Sequence, residues 1–205
     1  MTENRLRKAD LRAAIDRLRR GIPAEEVEAR SRAAAEVFLG LPPVAASRFA
    51  TVALYLPLPG ELGTDAVWRT LVERKVLCVF PRVEKGSRIL RFFPLRPGEP
   101  VERGPLGVRQ PLARDEVRLE AIEAFLVPGQ AFDAQGGRLG RGGGYYDATL
   151  AAAPWAERIG YGFDEQLLPS VPMLPHDVPL DWVVTPERGL RCEPGRSRPS
   201  SHEPW

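Results

Sequence analysis

Short apolar runs alternating with stretches of helical periodicity set the limits on what this chain can become. The runs at 49–56, 76–80, 125–128, 158–163 and 181–185 have the length of strands, and they are apolar enough to need cover on both faces. Residues 88–93 read as one more strand. Between the first two runs, 64–74 reads as a helix with Thr64 as its N-cap. Two further helices occupy the first forty residues. Leu11, Ile15 and Leu18 form an apolar stripe at i, i+4, i+7, and Lys8 and Arg12, four apart, share a neighbouring face. After Gly21 and Pro23 the pattern restarts at Val27, Ala34, Val37, Phe38 and Leu41, and Pro42-Pro43 stops it.

This alternation predicts an α/β fold: three layers, a mostly parallel central sheet, helices on both faces, one domain. A length of 205 residues with 43% hydrophobic composition suits a single core. The domain is expected to span residues 1–190. The Pro/Gly-rich stretch 94–111 reads as too broken for regular structure, and the Pro/Ser/Arg-rich residues 191–205 as a disordered tail. Trp155 fits a core role.

Composition excludes several function classes. A net charge of +2 offers no case for bulk nucleic-acid binding. Cys78 and Cys192 form no C-x-x-C pair, so neither a disulfide scaffold nor a zinc site is suggested, and Cys78 sits inside an apolar run as a small buried hydrophobe. The charged N-terminus lacks an apolar signal segment, and no run approaches a membrane span. A cytoplasmic protein without membrane or nucleic-acid partners is expected.

Chemistry concentrates in Arg138-Leu139-Gly140-Arg141-Gly142-Gly143-Gly144-Tyr145-Tyr146-Asp147. Glycines admit positive φ and let a ligand approach backbone N–H groups. The arginines bring forked donors suited to phosphate or carboxylate oxygens. Asp147 is a hard oxygen donor of the kind Mg²⁺ uses beside nucleotide phosphates. The loop fits neither common nucleotide fingerprint: Gly144 is followed by Tyr145, not Lys-Ser or Lys-Thr, and a dinucleotide motif would need glycine at 145. A solvated turn is the bland alternative. The loop's expected place between a strand and the helix 145–153 favours an anion site instead, at the carboxyl edge of an open sheet.

Ordered motifs then run along most of the chain: Lys8 with Arg12; Tyr55-Leu56-Pro57 with Glu61 and Thr64; Phe80-Pro81-Arg82; Val127-Pro128-Gly129 with Phe132-Asp133; the 138–147 loop; Gly162-Phe163-Asp164-Glu165-Gln166; Val171-Pro172; His176-Asp177; Val184-Thr185-Pro186. Over roughly residues 5–188 the chain resembles the 5-formyltetrahydrofolate cyclo-ligase (methenyltetrahydrofolate synthetase) family. The resemblance implies a monomeric ligase that uses ATP as co-substrate and Mg²⁺ as cofactor. Its substrate would be 5-formyltetrahydrofolate, with or without a polyglutamate tail, and its products 5,10-methenyltetrahydrofolate, ADP and phosphate.

By the same resemblance, Lys8 and Arg12 reach ATP phosphates; on spacing alone they cannot be told from Arg5, Arg7, Arg17, Arg19 and Arg20. Arg138, Leu139, Gly140, Arg141, Gly142, Gly143, Gly144, Tyr145 and Tyr146 bind the nucleotide. Leu56 and Glu61 contact folate together with Arg141, Gly142, Gly143, Gly144 and Tyr145, and Tyr55 joins Leu56 in packing against the pterin or aminobenzoyl ring. Arg141 and Tyr145 are the catalytic candidates, and Asp147 and Asp177 the Mg²⁺ carboxylates. His176 is given no step. Two departures stand out: Gln110 replaces the family's usual Glu before Pro111, and Gly143 is a lysine in some relatives. A folate-binding protein without turnover is the competing reading. A sugar-phosphate isomerase would need a general base that the sequence does not offer.

Overall fold

The computed structural model describes residues 2–193. The chain begins with α1 (Thr2–Arg20), α2 (Ala24–Gly40) and the single turn α3 (Pro42–Ala45). Then follow β1 (Thr51–Ala53), α4 (Asp65–Glu73), β2 (Leu77–Arg82), β3 (Arg91–Pro94), β4 (Val101–Arg103), β5 (Arg109–Pro111), β6 (Ala124–Pro128), β7 (Ala131–Phe132) and β8 (Arg138–Leu139). The last elements are α5 (Tyr145–Ala152), β9 (Glu157–Tyr161), β10 (Trp182–Val184) and β11 (Gly189–Arg191).

Seven strands form one sheet in the order β11-β10-β9-β6-β1-β2-β3. The pairs from β10 through β2 are parallel, and the antiparallel strands β11 and β3 close the two edges. Side chains alternate between two separate cores. Val52, Cys78, Phe80, Ala124 and Leu126 pack with Phe38 of α2 and Val67, Trp68 and Leu71 of α4. Their chain neighbours Ala53, Val79, Phe125 and Val127 pack on the opposite side with Leu150 of α5. The mostly parallel three-layer architecture is therefore as expected. T-shaped ring pairs seat both layers: Trp68 on Phe80 at 4.7 Å and Phe92 on Phe125 at 5.5 Å.

Several local expectations need correction. Of the run 49–56, only Thr51–Ala53 stays in the ladder; Leu54 still donates to the Val79 carbonyl at 2.9 Å, and the chain then leaves the sheet. Thr64 precedes α4 but makes no side-chain cap, because its hydroxyl donates to the Tyr55 carbonyl at 2.8 Å. Leu18 is exposed, so only Ile15 and part of Leu11 serve the α1 stripe. Trp155 is 43% exposed and no core residue; its indole N–H donates to the Ile122 carbonyl at the surface. The stretch 94–111 contains the β4–β5 hairpin. Order also runs past residue 191: Arg191 pairs with Trp182, and Cys192 is buried with its N–H on the Asp181 carbonyl. The remainder of the expected tail, 194–205, lies outside the described residues. Among the described residues, no helix is long and apolar enough to cross a membrane.

Topology chooses where a ligand can sit. From β1 the chain crosses over α4 to β2 on one side, whereas β6, on β1's other flank, leads through α5 to β9 and on to β10. The winding reverses between β1 and β6, so the segments leaving their carboxyl ends diverge and open a crevice.

Candidate active site

A cleft of ≈ 920 Å³ occupies that crevice. Tyr55 and Leu56 enter it just after β1, Pro81 and Val83 at the end of β2, and Pro128 and Gly129 at the end of β6. The glycine loop and the first turn of α5 form one wall, and Lys8 and Arg12 of α1 close the site from above the sheet edge.

The loop's shape is set by glycine. Gly142 has φ +101° and Gly144, the residue before α5, has φ +70°, values that an L side chain adopts only at a cost. The turn they make presents the amide end of α5 to the cleft. Arg12 braces the loop, its Nε donating to the Gly140 carbonyl at 2.8 Å. Of the residues expected to bind nucleotide, Leu139 is the exception. Its side chain is fully buried with Ile15, Ala131 and Val171, and its carbonyl accepts from the Gln130 N–H at 2.7 Å. A two-residue strand must turn alternate side chains away from the cleft, and Leu139 is the one turned inward.

Arg138 faces the cleft but is itself buried, with Nη2 donating to Asp147 Oδ1 at 2.8 Å and its guanidinium over the Tyr146 ring. Burial and the neighbouring Glu61 charge raise the Tyr146 hydroxyl well above the ordinary phenol range, so that hydroxyl stays protonated. Arg141, roughly half exposed, reaches across to Glu61: Nη2 lies 3.0 Å and Nε 3.3 Å from Oε1. Glu61 also accepts from the Leu58 N–H at 3.0 Å, and the buried Arg19 guanidinium lies 3.7 Å away. Arg19 further donates to the Gly60 carbonyl at 2.6 Å and to Gln130 Oε1 at 3.3 Å. Its burial lowers its pKa, partly offset by Glu61. Sequence spacing had left Arg19 among the solvated basic residues of α1; it is instead the bracket that holds the Glu61 turn.

The two aspartates expected at the metal site share this cleft. The Val178 N–H, next to Asp177, donates to Asp147 Oδ1 at 3.4 Å and ties the two segments together. Asp177 Oδ2 accepts from Lys8 Nζ at 2.5 Å and from the Leu174 N–H at 2.6 Å. Asp147 Oδ2 has no protein donor among the described residues. No cluster of three His, Cys, Asp or Glu side chains capable of holding a metal occurs among the described residues. Two carboxylates beside a glycine loop that turns a helix's amide end to the cleft nevertheless fit Mg²⁺, which commonly takes one or two protein carboxylates and completes its shell with other oxygens and water.

Gln110 lies outside the cleft lining. It is buried, accepting from the Val83 N–H at 3.3 Å and donating to Glu102 at 3.3 Å. Glu102 supplies the carboxylate in that neighbourhood: it pairs with Arg82 at 2.6 Å, and its pKa is lowered first by that bond and then by Gln110. The cleft also contains residues that the sequence pattern did not single out: Arg88, Leu90, Val108 and Arg109. They come from the β2–β3 connection and the β4–β5 hairpin; residues 88–90, expected to open the strand 88–93, lie outside it, and β3 starts only at Arg91.

Several similar proteins carry the name of one enzyme. A 5-formyltetrahydrofolate cyclo-ligase of Mycolicibacterium smegmatis is 35% identical over 191 residues, covering 89% of this chain and 95% of that protein. The enzyme of that name from Escherichia coli K12 is 33% identical over 184 residues, covering 85% and 97%. The NMR structure of Aquifex aeolicus 5,10-methenyltetrahydrofolate synthetase superposes with a TM-score of 0.78 at 26% identity, covering 95% of this chain and 97% of that one. The model of one family matches residues 4–186, and with these relatives it shows that the chain belongs to the 5-formyltetrahydrofolate cyclo-ligase family, a family of ligases.

Proposed function

We propose that this protein is a cytoplasmic, monomeric enzyme that converts 5-formyltetrahydrofolate to 5,10-methenyltetrahydrofolate, consuming ATP with Mg²⁺ and releasing ADP and phosphate. The Arg141–Glu61 contact at 3.0 Å, between residues 80 apart in sequence, carries this reading. It joins the glycine loop, suited to a polyphosphate, to the carboxylate suited to the N–H edge of a pterin. A formamide oxygen leaves poorly. Its attack on the γ-phosphorus expels ADP and leaves a phosphorylated iminium carbon; N10 then adds to that carbon, loses its proton, and phosphate departs with the former formyl oxygen.

Such a transfer requires alignment and charge neutralisation more than a protein nucleophile. The loop amides, Lys8 and Arg12 would bind the phosphates. Arg141 is the donor for charge developing on the transferred group. Tyr145 lies against the loop, a ring carbon 2.9 Å from where a Cβ on Gly143 would lie, and would shield the reacting atoms from water. Asp147 and Asp177 would hold Mg²⁺, which when bound neutralises phosphate charge. Leu56 offers an apolar surface to the folate rings.

The test is absorbance at the methenyl chromophore after mixing protein, 5-formyltetrahydrofolate and Mg²⁺, with and without ATP. An ATP-dependent rise is expected. Folate binding with no rise would instead establish a protein that binds folate without turning it over.

A further inference from the structure

We propose that Arg88 is a further nucleotide-binding residue, contacting the polyphosphate at the N-terminal end of α5. This assignment rests on the proposed function and adds a residue to it. Arg88 belongs to the β2–β3 connection and lines the cleft. A Cβ built on Gly144 would lie 3.8 Å from Arg88 Nη1, which places the guanidinium against the N-terminal turn of α5.

The segment is anchored there. Leu90, two residues on, is buried, and its N–H donates to the buried Thr149 hydroxyl at 2.9 Å. That hydroxyl in turn donates to the Tyr145 carbonyl at 2.7 Å. Ser87 closes the turn through the Ile89 N–H at 3.0 Å. Arg88 is thus delivered to the mouth of the glycine loop by bonds to α5 itself.

Charge gives the placement its meaning. Lys8, Arg109, Arg138, Arg12 and Arg141 each have a carboxylate or carbonyl partner. Among the described residues lining the cleft, Arg88 is the cation without one. It also sits at the positive end of a helix, where a cation is unfavourable unless an anion lies between them. A phosphate on the loop amides would meet both, and the forked guanidinium suits two of its oxygens.

Calorimetric titration of wild type and Arg88→Ala with a non-hydrolysable ATP analogue in Mg²⁺, with tripolyphosphate, and with 5-formyltetrahydrofolate tests the assignment. Nucleotide and tripolyphosphate affinities are expected to fall about tenfold, the scale of one charge-assisted contact, with folate affinity and the melting temperature unchanged. Arg88→Lys should recover part of the loss. Unchanged nucleotide affinity in Arg88→Ala, or a loss confined to folate, overturns the assignment while a wild type that binds and turns over keeps the proposed function. A wild type that binds no nucleotide overturns both.

Discussion

Asp147 gives the cleanest separation of charge from shape. The change Asp147→Asn keeps an oxygen to accept from Arg138, whose donor lies 2.8 Å away, and removes the negative charge. Turnover should be abolished while folate affinity stays close to wild type in a direct titration. Wild-type turnover in this variant would remove Asp147 from the metal site. The residues singled out by the glycine-loop motif and by the family resemblance are brought together in space. Lys8, Arg12, Glu61, Arg141, Asp147 and Asp177 all line one cleft. Arg19 and Arg88 were not legible, for opposite reasons. Arg19 sits in a run of arginines with nothing to distinguish the buried one, and its partners Gly60 and Gln130 lie 41 and 111 residues away. Arg88 follows a turn, and only the tie between Leu90 and Thr149 shows which way that turn leans.

At the scale of elements, α5 and its loop behave as a unit. Gly142 at φ +101° can be replaced by alanine only with strain on the order of 1–2 kcal/mol, or by letting the loop relax to another shape. For a chain of this size such strain lowers Tm by roughly 2–8 °C. Gly142→Ala should therefore reduce kcat/KM for ATP far more than it reduces stability. A variant with lowered Tm and wild-type kcat/KM would show that the loop amides hold nothing during turnover. Six of the seven sheet strands were readable because each falls in a short apolar run; β11, Gly189-Leu190-Arg191 with one apolar residue, was not. The β7–β8 hairpin was not, since strands of two residues are too short to show alternation. Nor was β4–β5, where Pro and Gly, the usual breakers, flank a pairing of only three residues on each side. Thr64 failed as a cap because a tertiary acceptor, the Tyr55 carbonyl, took its hydroxyl.

Across the whole molecule, both cysteines report on the closed state. Cys78 and Cys192 are buried, and burial pushes both thiols up to about 12, with Asp181 and Asp133 adding to the effect at Cys192. Neither should react with a thiol-directed dye in native buffer at pH 8, and both should react in denaturant. Labelling of either faster than global unfolding would contradict the packing of its layer. Since the folded-state values stand above the ordinary value of 9.0, the thiols' contribution to stability is complete below pH 9 and is lost as pH rises toward 12. The three-layer plan was legible because both faces of a parallel sheet demand cover. The reversal between β1 and β6 was not, because strand order depends on pairing that no local pattern encodes.

The bond from Lys8 to Asp177 joins residues 169 apart. It works as a buckle: α1 is synthesised well before the acceptor that fastens it, 169 residues further along the chain. At about 5–20 residues per second, the first helix waits roughly ten to thirty seconds before it can be fastened. Until then the cleft lacks one wall, so a nascent chain that already carries β1, β2, β3, β6 and β9 would still be catalytically silent.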